Sequence, residues 1–233
     1  AGTMRVSTVQ TLAAYLDDEI TAMPNLVTVG ASGTLSTIAG VKFFNESNSI
    51  YTHDVSATTS GANRNTAIGI SALDAITTGD DNAAFGQNAL TTNTTGSENA
   101  GIGMEALKAN TTGARNVALG HATLQANTTA NDNIAVGSNA MYANTTGTRN
   151  IAIGSNAYDL SDTENDNIAI GYNAMTTNTA GGENNVAVGN NALDALTSGD
   201  LNVAVGFDAL STTSTGANNV AVGSYALTAN TTG

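Results

Sequence analysis

The stretch from Asn184 to Gly233 contains one sequence repeat three times: NNVAVGNNALDALTSGDLNVAVGFDALSTTSTGANNVAVGSYALTANTTG. Each copy runs from Asn through an alternating VAVG stretch into a middle segment such as NNALDAL. A segment rich in Thr, Ser and Gly then closes the copy. The same repeat extends toward the N-terminus through most of the chain. The fold therefore has to be one that a short unit builds by repetition.

The glycine that ends each VAVG-like stretch, called the repeat glycine below, sets the period. Its spacing is 17 in every step but one, which is 18, and it occurs at Gly69, Gly86, Gly103, Gly120, Gly137, Gly154, Gly171, Gly189, Gly206 and Gly223. The extra residue falls at Gly181–Gly182. A unit this short cannot bury its own apolar face, and stacked copies cover one another. The period therefore predicts a solenoid.

Each rung of the repeat has three parts. The stretch before the repeat glycine is β-branched and alternating, which predicts a short strand. The NTTG-like stretch supplies turn residues. The middle segment fits either a second extended segment or one helical turn capped by Asn, Ser or Asp, and we favour the extended form. The prediction is a mainly β fold, a parallel β-solenoid or β-roll of ten 17-residue rungs, about 45–50 Å long.

Stacking makes residues 17 apart direct neighbours, so each rung position becomes a column. The position four residues before the repeat glycine is always Asn, at Asn65, Asn82, Asn99, Asn116, Asn133, Asn150, Asn167, Asn185, Asn202 and Asn219. We expect a buried ladder of amides here, with Asn65 touching Asn82.

The position two residues before the repeat glycine is Ala in every rung except at Gly101. Because this position holds so small a residue in almost every rung, we expect its side chain to be tightly packed. In a thin rod, one side of the strand faces the internal core and the other side needs a partner. The predicted partner is another copy of the chain, in a homotrimer about the long axis.

A third column carries charge. Its members lie five residues before the repeat glycine, at Arg64, Asp81, Glu98, Arg115, Asp132, Arg149 and Asp166. Opposite charges facing across neighbouring rungs are mildly favourable, and a slipped rung would break the pairing. The column therefore predicts a defined register, although chance placement of three Arg residues is the alternative.

The composition limits the partners. Of the 233 residues 41% are hydrophobic but only 4% are aromatic, so Ala, Val, Ile and Leu would form the core. A net charge of -13 disfavours nucleic acid and anionic membranes, because both are polyanionic. The absence of Cys excludes disulfides and thiolate chemistry. No apolar run is long enough to span a bilayer, so we expect no membrane insertion.

The chain divides into three predicted segments. Residues 1–24 form an N-terminal attachment segment, with a helix over 7–20 that Pro24 ends. Four apolar residues lie on one stripe of that helix, namely Val9, Leu12, Leu16 and Ile20. A short coiled coil and an attachment element are both compatible with it. Residues 25–61 predict a strand-rich shaft or collar, and residues 62–233 form the solenoid.

The repeat resembles two families of surface fibre. NVAVGNNAL and NIAIGSNA are similar to the head repeats of trimeric autotransporter adhesins, whose pattern is near N-x-[VA]-[IV]-G in a slightly shorter repeat. The whole rung more closely resembles the N-T-A-[IV]-G-x-x-A-L-x-x-N-T-T-G arrays of bacteriophage tail fibres. The resemblance covers residues 62–233. It implies a trimeric left-handed parallel β-roll on a fibre that touches a host surface.

The residues do not predict an enzyme or a cofactor. His53 and His121 have no paired Ser or Cys motif. The acidic residues lie on repeated turns, where a solvated face is expected. A pair of carboxylates, as in a polysaccharide-degrading tailspike, is the alternative.

One rung departs from the pattern and carries the candidate metal ligands. YDLSDTENDN places Asp159, Asp162 and Glu164 close together in sequence, next to Asp166 of the charge column. Oxygen ligands at this density could hold Ca²⁺. A polar turn without metal is the alternative.

Two further patterns bear on ligands. Five NTT sequons occur, at Asn93, Asn110, Asn127, Asn144 and Asn230, and turn chemistry accounts for them without sugar. The accompanying Thr columns raise the alternative of an ice-binding solenoid. The aromatic residues of the rungs lie mainly in the C-terminal half, at Tyr142, Tyr158, Tyr172, Phe207 and Tyr225. They could stack on sugars, dock on proteins or pack between chains.

The sequence thus predicts a non-enzymatic structural fibre of a phage tail, extracellular and part of the virion. Its partners would be two further copies of itself, other fibre or virion proteins, and a glycan or protein of the host cell surface. A trimeric autotransporter-type adhesin on a bacterial surface is the alternative. The chain stops within a rung, and no chaperone segment follows, so we expect the natural polypeptide to be longer.

Overall fold

The structure is a computed structural model that describes residues 61–178 and 181–232, together with four short strands between residues 37 and 51. These strands are β1 (Thr37–Ile38), β2 (Val41–Lys42), β3 (Phe44–Glu46) and β4 (Ser49–Tyr51). They pair as two antiparallel hairpins, β1 with β2 and β3 with β4. The helix predicted over residues 7–20 lies outside the described residues.

Ten three-residue strands build the solenoid. They are β5 (Thr66–Ile68), β6 (Ala83–Phe85), β7 (Ala100–Ile102), β8 (Val117–Leu119), β9 (Ile134–Val136), β10 (Ile151–Ile153), β11 (Ile168–Ile170), β12 (Val186–Val188), β13 (Val203–Val205) and β14 (Val220–Val222). All ten pair in parallel, in chain order. Strand β4 extends the same sheet by pairing with β5, with Ile50 opposite Thr66. The predicted parallel β-solenoid of 17-residue rungs is confirmed.

The strands stay in register through the one longer step of the repeat. Ile151 of β10 lies opposite Ile168 of β11 at the regular spacing, and Ile168 lies opposite Val186 of β12, one position further along the chain than that spacing. The extra residue is therefore absorbed in a turn, as its position at Gly181–Gly182 indicates. One regular sheet runs along the whole described solenoid.

The core is narrow and contains small side chains. The middle residue of every solenoid strand is buried, and it is Ala in all but β7, which has Gly101. Apart from Ala, the buried apolar residues are mainly a column of Leu, Met and Tyr four residues after the repeat glycine, such as Leu107 and Met141. A short rung encloses little space, so the strand can turn only a methyl group inward, opposite one larger side chain.

The middle segment of each rung is a turn, so the prediction of a second extended segment was wrong. Left-handed residues occur at alternate positions, as at Asn88 (φ 59°) and Leu90 (φ 52°). The reason is visible in the neighbours Ala89 and Leu90, which are both buried. Consecutive residues of an extended segment point to opposite sides, so only a curled backbone can bury both.

The repeat glycines are required by backbone contact between rungs. Their φ values lie between 131° and 141°, a region that side chains rarely allow. A Cβ at Gly137 would also overlap the carbonyl group of Gly154 in the next rung. The same contact recurs at every repeat glycine from Gly69 to Gly206, which explains why no other residue occurs there. Within the described residues, no helix is long and apolar enough to cross a membrane.

Candidate functional site

The first asparagine column, four residues before the repeat glycine, is a continuous amide ladder. The Asn82 side chain donates from Nδ2 to Asn65 Oδ1 at 3.0 Å and to the Gly96 carbonyl at 2.9 Å. The Asn82 backbone N–H donates to the same Asn65 Oδ1 at 2.9 Å. The pattern repeats between later rungs, for example from Asn202 to Asn185. Each amide thus links two rungs and also satisfies a turn carbonyl.

A second asparagine column lies seven residues after the repeat glycine, and sequence reasoning took its members only for turn residues. They are buried, at Asn93, Asn110, Asn127, Asn144 and Asn178. Asn110 Nδ2 donates to Asn93 Oδ1 and to the Gly113 carbonyl, both at 2.9 Å. The missed signal was that Ile76 and Leu196 occupy the same rung position, which marks it as an interior one.

Because the second asparagine column is buried, its NTT sequons are not available for glycosylation in the folded chain. Asn93, Asn110, Asn127 and Asn144 have no exposed surface, and their amides donate to neighbouring carbonyls. A glycosylated side chain could not occupy these positions in the folded rung. Turn and ladder chemistry therefore accounts for four of the five sequons.

The charge column brings each Arg against the acid of the next rung. Arg64 Nε donates to Asp81 Oδ1 at 2.6 Å and its NH2 group donates to Oδ2 at 2.7 Å. The same two-bond geometry joins Arg115 to Asp132 and Arg149 to Asp166. The Arg hydrogen bond lowers the pKa of all three aspartates. These pairs are exposed, so they specify register more than they add stability.

The threonines of the NTT-like turns divide into two columns. The first Thr turns its hydroxyl to the next rung, as where Thr94 Oγ1 donates to the Thr111 carbonyl at 3.0 Å. The second Thr, such as Thr95 or Thr112, is exposed. In the regular rungs only one of the two hydroxyl columns is therefore turned fully to solvent. An ice-binding surface would need a flat array that the two columns share.

The outer side of the parallel sheet is a strip of apolar side chains, called the apolar face below. It consists of the first and third residues of β5–β14, which flank the buried middle residue and are half-buried or exposed. Leu119 is 45% exposed and Ile153 is 40% exposed. Only Thr66, Ala83 and Ala100 among its members are not large apolar residues. The face is about 45–50 Å long, and exposed patches of this kind mark interaction surfaces.

Aromatic side chains lie beside the apolar face in the C-terminal half. Tyr172 directly follows a repeat glycine and is 51% exposed. Phe207 occupies the same rung position and meets Tyr225 edge to face, with ring centroids 5.3 Å apart. Between them in the column, Asn190 Oδ1 accepts the Tyr172 backbone N–H at 3.0 Å. His121 also lies in this column and is exposed.

The three candidate calcium ligands do not converge. Asp159 is half-buried, Asp162 is exposed, and Glu164 is buried. The Glu164 carboxylate accepts the backbone N–H groups of Asp162, Thr163 and Gly181 at 2.9, 3.1 and 3.1 Å. Among the residues that the structure describes, no three His, Asp or Glu side chains form a group that could hold a metal ion. These three hydrogen bonds tie the Glu164 carboxylate to the backbone of its own turn and of the next rung.

Two aspartates carry a stability cost that depends on pH. Asp159 and Asp194 each have a buried Oδ1 with no hydrogen-bond partner, and burial raises the pKa of both. A raised pKa means that the folded state binds the proton more tightly than the unfolded state. Stability from these groups therefore increases as the pH falls through the folded-state pKa.

We expect the double variant Asp159→Asn and Asp194→Asn to be more stable than the wild type at pH 7, by about 0.5–1 kcal/mol, since partial solvent contact reduces the penalty. The gain should vanish below about pH 3.5, where the wild-type carboxyls are protonated. Urea unfolding at several pH values measures it. The exposed Glu98→Gln is the matched control, and a gain that does not change with pH would contradict the explanation.

The fold and the side-chain columns define the class of the protein, a parallel β-solenoid repeat protein with one uncovered apolar sheet face. Comparison with protein-family models, with curated proteins and with solved structures found no match to the chain.

Proposed function

We propose that the chain forms the shaft of a bacteriophage tail fibre, in which three copies associate through their apolar faces. The observation that carries this proposal is the apolar face. It runs through all ten solenoid strands on the outer side of the sheet. Aliphatic side chains exposed over such a length favour association. The number three and the phage context come from the resemblance to trimeric tail fibres.

The solenoid suits a structural role because its length follows from the number of rungs. Each rung adds about 4.8 Å to the rod, and each is tied to the next by backbone hydrogen bonds and by the first asparagine column. The second asparagine column adds bonds between the rungs from Asn93 to Asn144. Such a rod holds two ends at a fixed distance. The fibre would thereby carry a contact surface away from the virion, outside the cell, with other fibre or virion proteins at its ends.

We place the contact with the host surface, a glycan or a protein, on the aromatic side chains near the C-terminal end of the described residues. Tyr172 and Phe207 occupy the same rung position two rungs apart, and Asn190 lies between them. Exposed rings flanking an amide are suited to stacking on a sugar and hydrogen bonding to its hydroxyl groups. The acidic surface, with a net charge of -13, favours a neutral or basic glycan over an anionic one.

The mass of the assembly in solution tests the proposal. We expect sedimentation equilibrium at micromolar concentration to give three times the 23.2 kDa mass of the chain. A monomer that keeps its β-sheet signal would contradict the proposed shaft. Antibodies raised against the chain should label virion tails in electron micrographs and reduce adsorption to host cells. Labelling of a bacterial envelope instead would support the adhesin alternative and overturn the phage assignment.

A further inference from the structure

One pair of neighbouring rungs differs from all the others. The rung of residues 155–171 has Tyr158 in the Leu column, Ser161 in the second asparagine column and Glu164 where other described rungs have Gly or Ala. The rung that follows, residues 172–189, is the one that contains the extra residue at Gly181–Gly182. All these departures lie at the contact between these two rungs.

Tyr158 replaces a missing asparagine. Ser161 is smaller than the Asn of other rungs, and the buried Tyr158 ring reaches that region of the core. Its hydroxyl oxygen accepts from Asn167 Nδ2 at 2.5 Å and from Asn178 Nδ2 at 3.1 Å. The phenol thereby joins the first asparagine column to the second. Asn178 belongs to the following rung, so this bond depends on which rung comes next.

Glu164 depends on the same neighbour. It is only 3% exposed, and its Oε1 accepts the backbone N–H of Gly181, which lies in the extended turn of the longer rung. In regular rungs this column holds Gly, because a Cβ there would overlap the next rung, as one at Gly96 would overlap the Gly113 carbonyl. The longer turn supplies both the room and the donor.

Ala130 shows what happens in this column without a longer turn. It is the other side chain among the described members of the column, and its rung is followed by one of ordinary length. The Ala130 carbonyl still accepts from Asn116 Nδ2 at 2.8 Å and from Asn127 Nδ2 at 3.3 Å. One methyl group is thus accommodated in a regular stack with the amide bonds kept, while a buried carboxylate needs its own partner.

We propose that Tyr158, Ser161, Glu164 and the extra residue at Gly181 form a register key, which allows only the 172–189 rung to stack on the 155–171 rung. Regular rungs are nearly interchangeable, since a shift by one whole rung again places Asn on Asn and Gly on Gly. The 155–171 rung is different, because it cannot stack on the 190–206 rung in the same way. That stacking would set Leu196 in the place of Asn178 and leave Glu164 without Gly181.

Two deletions of one rung each test the key. Removing residues 87–103 joins regular rungs and brings Asp81 next to Arg115, so every column is restored. We expect this variant to unfold within a few degrees of the wild-type midpoint. Removing residues 172–189 deprives the buried Glu164 carboxylate of Gly181 and the Tyr158 phenol of Asn178. We expect its midpoint to be about 10 °C lower than that of the first deletion.

A rescue experiment separates the key from a general loss of structure. The triple substitution Tyr158→Leu, Ser161→Asn and Glu164→Gly converts the 155–171 rung to the regular pattern. In that background, deletion of residues 172–189 should again be tolerated and should restore the midpoint to that of the 87–103 deletion. Equal midpoints for the two deletions in the unmodified chain would overturn the proposal, and so would failure of the rescue.

Discussion

Asn133→Ala is expected to destabilise the solenoid by about 2–4 kcal/mol, because it leaves the buried Asn150 N–H without its acceptor and removes one of the two amide bonds to the Gly147 carbonyl. The Asn133 amide donates to the Gly147 carbonyl at 2.8 Å, and its oxygen accepts the Asn150 N–H at 2.9 Å. Alanine provides neither bond. Urea unfolding of the variant and the wild type, followed by circular dichroism, measures the difference in free energy.

The matched control is Thr129→Ala, in an exposed turn position of the same rung. It should change the free energy of unfolding by no more than about 0.5 kcal/mol. Asn133→Asp separates the two bonds, since it keeps the acceptor for Asn150 and loses the donor to Gly147. The added buried charge should make it at least as unstable as the alanine variant. Equal stability of Asn133→Ala and Thr129→Ala would show that the ladder does not hold the rungs together.

The combination Leu119→Lys and Ile153→Lys is expected to convert the proposed three-chain assembly to a folded monomer. Both side chains belong to the apolar face and are exposed in the single chain, so lysine can extend into water there. In the assembly each lysine would lie in an apolar interface with no partner, at a cost of several kcal/mol per charge. Sedimentation equilibrium measures the mass, and circular dichroism shows whether the sheet persists.

The control places the same charges on another side of the solenoid. Thr129→Lys and Thr146→Lys alter two exposed turn residues of neighbouring rungs. This variant should keep the mass of the wild-type assembly. An assembly that survives Leu119→Lys and Ile153→Lys, or one that Thr129→Lys and Thr146→Lys dissolve, would move the interface away from the apolar face.

The solenoid could be predicted from the sequence because stacking makes the repeat period a direct spatial relation. Residues 17 apart become neighbours, so the spacing of the repeat glycines already contained the strand pairing of Ile151 with Ile168. The same relation placed Asn82 against Asn65 and Asp81 against Arg64. In an ordinary globular fold, contacts between distant residues have no such fixed interval, and the printed order of residues would not have revealed them.

Only the tertiary structure decided what each column faces. A short unit of Ala, Leu, Asn and Thr does not state whether Asn110 caps an exposed turn or joins a buried ladder. That depends on how tightly the backbone curls between Gly103 and Gly113. The same curl buries Ala106 and Leu107 together, which an extended segment could not do.

The irregular rung of residues 155–171 shows most clearly what the sequence determines and what only the backbone path determines. By sequence, Asp159, Asp162 and Glu164 are three carboxylates within a short stretch, which is a pattern suited to calcium. In space their positions fall on different parts of the rung, and the Glu164 carboxylate turns inward to the N–H of Gly181. Spacing along the chain determined that these residues share one rung. The direction of each side chain followed from the backbone path, because a closed coil sends residues a few positions apart to different sides.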